Sequence, residues 1–161
     1  MRHDDSVFEG RLAAIYTTSE AGAPMEARPE ADAIVGVGLR GDRYAAAEGT
    51  HSSKPGGGRE VTLVERETIA AVRADGVELA DHETRRNLLT EGVPLNHLVG
   101  QTFRIGDVVL RGVRLAEPCS YLAGLTRAGV SRALVHRGGL RADIVEGGIL
   151  RVGDRISAQP L

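Results

Sequence analysis

The apolar residues of this chain come in short runs, and a glycine, proline or aspartate stops nearly every one of them. Leu12, Ala14 and Tyr16, for example, alternate with less apolar neighbours until Gly22 intervenes. Alternation with a period of two buries one face of a strand and leaves the other for a second layer or for water. The spacing predicts strands over residues 7–18, 31–38, 60–64, 102–105, 108–115, 140–145 and 149–152. Gly106-Asp107 and Gly147-Gly148 separate successive strands as turns do. One helix is expected over residues 65–75, where Ile69, Ala70 and Val72 recur at helical spacing and Gly76 supplies a stop. Shorter helices are expected over residues 94–99, 118–125 and 130–135. Many short strands joined by glycine-rich turns close into barrels or sandwiches. The expected fold is therefore a single α+β domain over residues 1–161, mostly β, with a mixed, barrel-like sheet and short inserted helices; 161 residues suffice for one core.

Charge and cysteine usage exclude several functions. A net charge of -2 provides no basic field for nucleic acid or an anionic membrane, so neither is an expected partner. Arg2, His3, Asp4 and Asp5 crowd the N-terminus without the apolar core of a signal peptide, and no stretch approaches the roughly 20 apolar residues of a membrane span. Cys119 is the one cysteine, which rules out an intramolecular disulfide and any multi-thiolate zinc or iron-sulfur site. A reducing, cytoplasmic setting is expected.

Two nucleotide motifs fail on context. Gly36-Val37-Gly38-Leu39-Arg40-Gly41 matches the dinucleotide glycine pattern, but that pattern needs a helix opening at its last glycine, and small, turn-forming residues follow instead. Lys54 is followed by Pro55, which spoils a phosphate-binding loop. The segment ending Lys54-Pro55-Gly56-Gly57-Gly58 is expected to be a mobile loop and to serve as a lid.

Three other segments bear chemistry. Cys119 follows Pro118 at an expected helix start, where free amides and the helix dipole would favour a thiolate; the alternative for a lone cysteine is a small buried hydrophobe. Arg85-Arg86-Asn87 places two adjacent guanidiniums that need an anion, either a phosphate or an internal carboxylate. His136-Arg137-Gly138-Gly139 sets an imidazole and a guanidinium beside glycines that permit close backbone approach, suited to a ligand or to a plain turn.

Beyond these readings, the chain resembles the MOSC domain, the C-terminal domain of molybdenum cofactor sulfurases, from Gly10 to Ile156. The resemblance rests on Gly38-Leu39-Arg40-Gly41-Asp42-Arg43-Tyr44, Arg59-Glu60-Val61-Thr62-Leu63-Val64, Arg85-Arg86-Asn87-Leu88, Leu98-Val99-Gly100-Gln101-Thr102-Phe103-Arg104-Ile105-Gly106, Glu117-Pro118-Cys119 and Val135-His136-Arg137-Gly138-Gly139-Leu140, in that order. It implies a barrel of the pyruvate kinase β-barrel-like type. It also implies binding of the molybdenum cofactor (molybdopterin), with Cys119 as catalytic residue and metal ligand. Arg85, Arg86 and Asn87 would then meet the pterin phosphate, with His136 and Arg137 lining the same pocket. Relatives of this kind reduce N-hydroxylated bases and amidoximes, small-molecule substrates, with electrons from a separate donor protein. The alternative is a sulfur-carrier module in which Cys119 accepts sulfane sulfur from a sulfur-donor protein and delivers it for metal-sulfur cofactor assembly. Pyridoxal phosphate is not expected on this chain alone, because the lysine-bearing domain of the sulfurases has no counterpart here. The expected geometry brings Cys119, residues 85–87 and residues 136–139 to one concave face.

Overall fold

The computed structural model describes residues 8–43, 45, 57–116 and 137–158. Lys54, Cys119 and His136, with the helices expected over 118–125 and 130–135, lie outside the described residues.

The described elements run β1 (Glu9–Thr17), β2 (Glu26–Arg28), β3 (Glu30–Ile34), β4 (Gly38–Leu39), β5 (Val61–Glu65), α1 (Arg66–Ala74), β6 (Leu88–Glu91), β7 (Thr102–Ile105), β8 (Val108–Leu115), β9 (Leu140–Glu146), β10 (Gly148–Arg151) and β11 (Arg155–Ala158). Two 3-10 turns, Asp81–Thr84 and Leu95–Leu98, flank β6. The order β11-β7-β8-β9-β5-β6-β1, with β1 paired back to β11, closes a seven-stranded barrel; β2 hangs from β1 outside it. Strands β5 and β6 run parallel, whereas their neighbours pair antiparallel, so the sheet is mixed as expected. A separate small sheet orders β10-β3-β4.

Alternation decides what fills the barrel. Val61 and Leu63 of β5 and Leu140, Ala142 and Ile144 of β9 join Leu12, Ile15, Phe103, Ile105 and Leu110 in one buried cluster. The opposite faces of β5 and β6 give Val64 and Leu89 to a second cluster, where Ile69 and Val72 of α1 and Leu79 cover them. Helix α1 is the crossover that a parallel β5–β6 pair requires, and its buried residues sit three apart on one face.

Most expected strands are present, and the differences have causes. Strand β6 escapes the alternation rule because Leu88, Leu89 and Thr90 are all buried, one face in the barrel and the other under α1. Strand β11 offers a single buried apolar residue, Ile156, too little for a period. Residues 94–99 yield a 3-10 turn rather than an α-helix, and 31–38 divides into β3 and β4 at a turn where Gly36 has φ +76°. Gly36 to Gly41 is thus part of a hairpin, and among the described residues no helix opens at Gly41.

Gly139 is held to glycine by two constraints at once. Its φ is +114°, and a Cβ there would drive into the Leu63 carbonyl on β5. Replacing Gly139 with alanine is expected to cost at least about 2 kcal/mol, since positive-φ strain and a backbone clash combine. Urea denaturation checks this, and a midpoint matching the wild type would refute the assigned packing.

Candidate functional site

The site begins with a turn. After the 3-10 turn Asp81–Thr84 the chain passes through Arg85 at φ +62°, a left-handed conformation costly for a residue with a Cβ. A buried ion pair supports it: Arg43 meets Asp42 at 3.2 Å and donates through Nη2 to the Arg85 carbonyl at 3.1 Å. Asp42 in turn accepts the Thr18 amide at 3.1 Å. The Gly41-Asp42-Arg43 segment thereby props the turn from which Arg86 and Asn87 enter the barrel.

Arg86 is 8 % exposed and donates through Nε to the Gly138 carbonyl and through Nη2 to the Ala116 carbonyl, both at 2.8 Å. The Ala116 amide donates to the Gly139 carbonyl at 2.8 Å. One guanidinium thus fastens the end of β8 to the approach to β9. Asn87 is fully buried: its Oδ1 accepts the Thr62 amide at 3.0 Å and hydroxyl at 3.2 Å, and its Nδ2 donates to the Tyr16 carbonyl at 3.1 Å. Its amide therefore joins β1, β5 and the start of β6.

Beside the clamped turn lies a cavity of about 320 Å³, lined by Glu65, Thr68, Pro94, Asn96, His97, Arg137 and Gly139. Arg137 also reaches Asp75 at 3.5 Å. The Glu65 carboxylate accepts the Leu95 amide at 3.0 Å. Burial pushes its carboxyl above the usual range, while that hydrogen bond and the nearby His97 pull it back. The cavity offers guanidinium, amide, imidazole and hydroxyl donors together with a carboxyl whose pKa burial raises. Among the described residues, no three His, Asp or Glu side chains converge as metal ligands.

The structure therefore unites Arg86 with the Arg137 to Gly139 turn that the sequence marked out, places Asn87 in the barrel wall, and leaves Arg85 in the supporting turn. Cys119 and His136 lie outside the described residues. Glu65, Asn96 and His97 are additions. No motif announced them, because they come from the end of a strand and a 3-10 turn brought together only by packing.

A family model for the MOSC domain matches residues 48–157. No curated relative matches the chain in sequence. The fold is similar to that of the YuaD protein from Bacillus subtilis, with a TM-score of 0.78 at 16% identity over 95% of this chain and 100% of that one. It is also similar to YiiM from Geobacillus stearothermophilus, with a TM-score of 0.69 at 11% identity over 94% of this chain and 75% of that one. YiiM from Escherichia coli gives 0.63 at 16% identity over 94% and 70%. Among the described residues no helix is long and apolar enough to cross a membrane.

Two outcomes follow from this geometry. Arg86→Met leaves the Ala116 and Gly138 carbonyls without their donor and is expected to lose about 2–4 kcal/mol of stability, with faster hydrogen exchange at the Ala116 amide. An unchanged exchange rate would refute the clamp. Glu65 has a folded pKa raised above its unfolded value of about 4.3, so its stabilising contribution is complete below that value and is lost as pH rises through the folded pKa. Glu65→Gln keeps an oxygen for the Leu95 amide and does not titrate. Its stability relative to wild type should rise from about pH 4 to about pH 7, and a pH-independent difference would contradict the assignment.

Proposed function

The chain belongs to the MOSC domain family, and from that premise we propose that it binds the molybdenum cofactor, with Cys119 as the protein ligand to the metal, and reduces small N-hydroxylated substrates. The observation that carries the reading is the Arg86 clamp. It fixes Ala116 and Gly138, the two points between which the chain carries Cys119 and His136, and it does so against the cavity that Arg137 and Gly139 line.

The donor set suits such a group. A cavity of about 320 Å³ lies within the range of small-ligand pockets, and its polar lining matches a pterin rich in hydrogen-bonding edges. Arg137 meets the terminal phosphate with Arg85 in support, while a soft thiolate at Cys119 suits a sulfur-rich metal centre. Arg86 and Asn87 act behind this layer by holding the backbone that presents it. When bound, the cofactor supplies the two-electron redox centre for cleavage of the substrate N–O bond. Asn96 and His97 orient the substrate's nitrogen functions, and the Glu65 carboxyl, whose pKa burial raises, relays one of the two protons that N–O reduction consumes, the other coming from solvent. Electrons come from a separate donor protein, since the sequence carries no flavin or haem motif.

Metal analysis of protein purified from a host that makes the cofactor tests the reading. Wild type should carry molybdenum near stoichiometry, Cys119→Ser should lose it, and Arg137→Ala should retain the fold but lower occupancy several-fold. Wild-type protein far below stoichiometry would overturn the proposal. Rapid alkylation of Cys119 together with persulfide formation would then assign the sulfur-carrier role.

A further inference from the structure

Outside the cavity, one pair of charges has no counterpart. Arg114 on β8 and Arg141 on β9 are direct register partners, so two guanidiniums leave neighbouring strands on the same face. Leu140 and Ala142, on either side of Arg141, point into the barrel, which sends Arg141 to the outer face, where its register partner on β5 is Thr62. Arg141 is nevertheless only 6 % exposed. Its Nη1 is buried without a hydrogen-bond partner, and so is Nη2 of Arg114. Arg114 spends Nη1 on the Gly57 carbonyl at 2.6 Å. Asp143, two residues along β9, directs Oδ1 to the Gly58 amide at 2.7 Å, and among the described residues neither arginine forms an ion pair.

Chemistry makes this arrangement incomplete. A guanidinium does not lose its proton in a protein, so the pair cannot relieve its repulsion by titrating. Like charges directly opposite on neighbouring strands destabilise a sheet, and buried N–H groups require acceptors. The backbone beside the pair is also built to come close. Gly58 has φ +81°, and a Cβ there would lie 3.1 Å from the Arg141 Cβ and 3.3 Å from Arg114 Nη1. A glycine is therefore needed at the point where the chain passes over the two arginines.

We propose that Arg114 and Arg141 form a binding site for a tetrahedral oxyanion of the phosphate class, seated between the two guanidiniums beside the backbone at Gly57 and Gly58. Two forks of N–H donors match the several acceptor oxygens of a phosphoryl group and neutralise its double charge. The Asp143 carboxylate opposes a ligand that approaches from its side, and its Oδ1 is already committed to the Gly58 amide. The inference is independent of the molybdenum reading, since none of these residues lines the Arg137 cavity.

Calorimetric titration of the full chain with inorganic phosphate, at ionic strength held constant with sodium chloride, tests the site. Saturable binding is expected in wild type, at least tenfold weaker in Arg141→Gln and in Arg114→Gln, and unchanged in Arg151→Gln, an exposed arginine on β10. Phenyl phosphate serves as a second probe: tighter binding than inorganic phosphate assigns an organic phosphate, and equal binding assigns the phosphoryl group alone. Absence of saturable binding in wild type overturns the proposal, as does binding that Arg114→Gln and Arg141→Gln leave intact and Arg137→Gln abolishes, which would assign the phosphate to the cavity. If Arg141→Gln does not fold, the more accessible Arg114→Gln carries the comparison.

Discussion

A buried asparagine stands at the parallel seam between β5 and β6, and much of the molecule is arranged around it. Parallel strands cannot share a tight hairpin, so β5 must leave through α1 and return along the barrel's outside before β6 begins. Asn87 sits where that return is completed. Its amide takes the Thr62 amide and hydroxyl on one side and gives a hydrogen to Tyr16 on the other, joining three strands at a point where the main-chain ladder changes direction. The residue before it, Arg86, is thereby aimed at the end of β8 and the start of β9.

Arginine does a second job throughout this fold. Arg86 holds the carbonyls of Ala116 and Gly138, Arg43 that of Arg85, Arg73 that of Leu79 and Arg114 that of Gly57. Each of these carbonyls belongs to irregular backbone between or beside strands, where no ladder neighbour is available. A planar fork of five donors can reach across such gaps and fix the chain without a regular element. The chain has 19 Arg and one Lys, and these arginines serve as a scaffold for loops. Arg114 and Arg141 each keep a buried nitrogen that finds no carbonyl to hold.

Much of the barrel was legible because most strands keep one face in the core and one outside it, and the alternating residues record that asymmetry. Strand β8 spans the residues that the spacing predicts, since Val108 and Leu110 are buried and a glycine turn precedes them. Strand β6 was not legible, as burial on both faces erases the period. The site divides in the same way. Gly138 and Gly139 marked room for a ligand's approach, and what Gly139 meets in the fold is the Leu63 carbonyl of β5. Glu65, Asn96 and His97 carried no mark, because each is an ordinary polar residue until the 3-10 turn Leu95–Leu98 folds against the end of β5.

By itself the sequence determined the strand-rich class, the family, the turn glycines and the residue types available for chemistry, because these depend on spacing along the chain and on local backbone freedom. Tertiary structure alone decided which polar groups are spent and which remain. Arg86 and Asn87 look like a phosphate cradle in one dimension. In three dimensions Arg86 directs two of its donors, and Asn87 its whole amide, to partners within the barrel. Arg114 and Arg141, 27 positions apart and unremarkable in sequence, become neighbours only through the register of β8 on β9. A hydrogen bond is satisfied by whatever lies within about 3 Å, and strand pairing and barrel closure, which are long-range, decide what lies there.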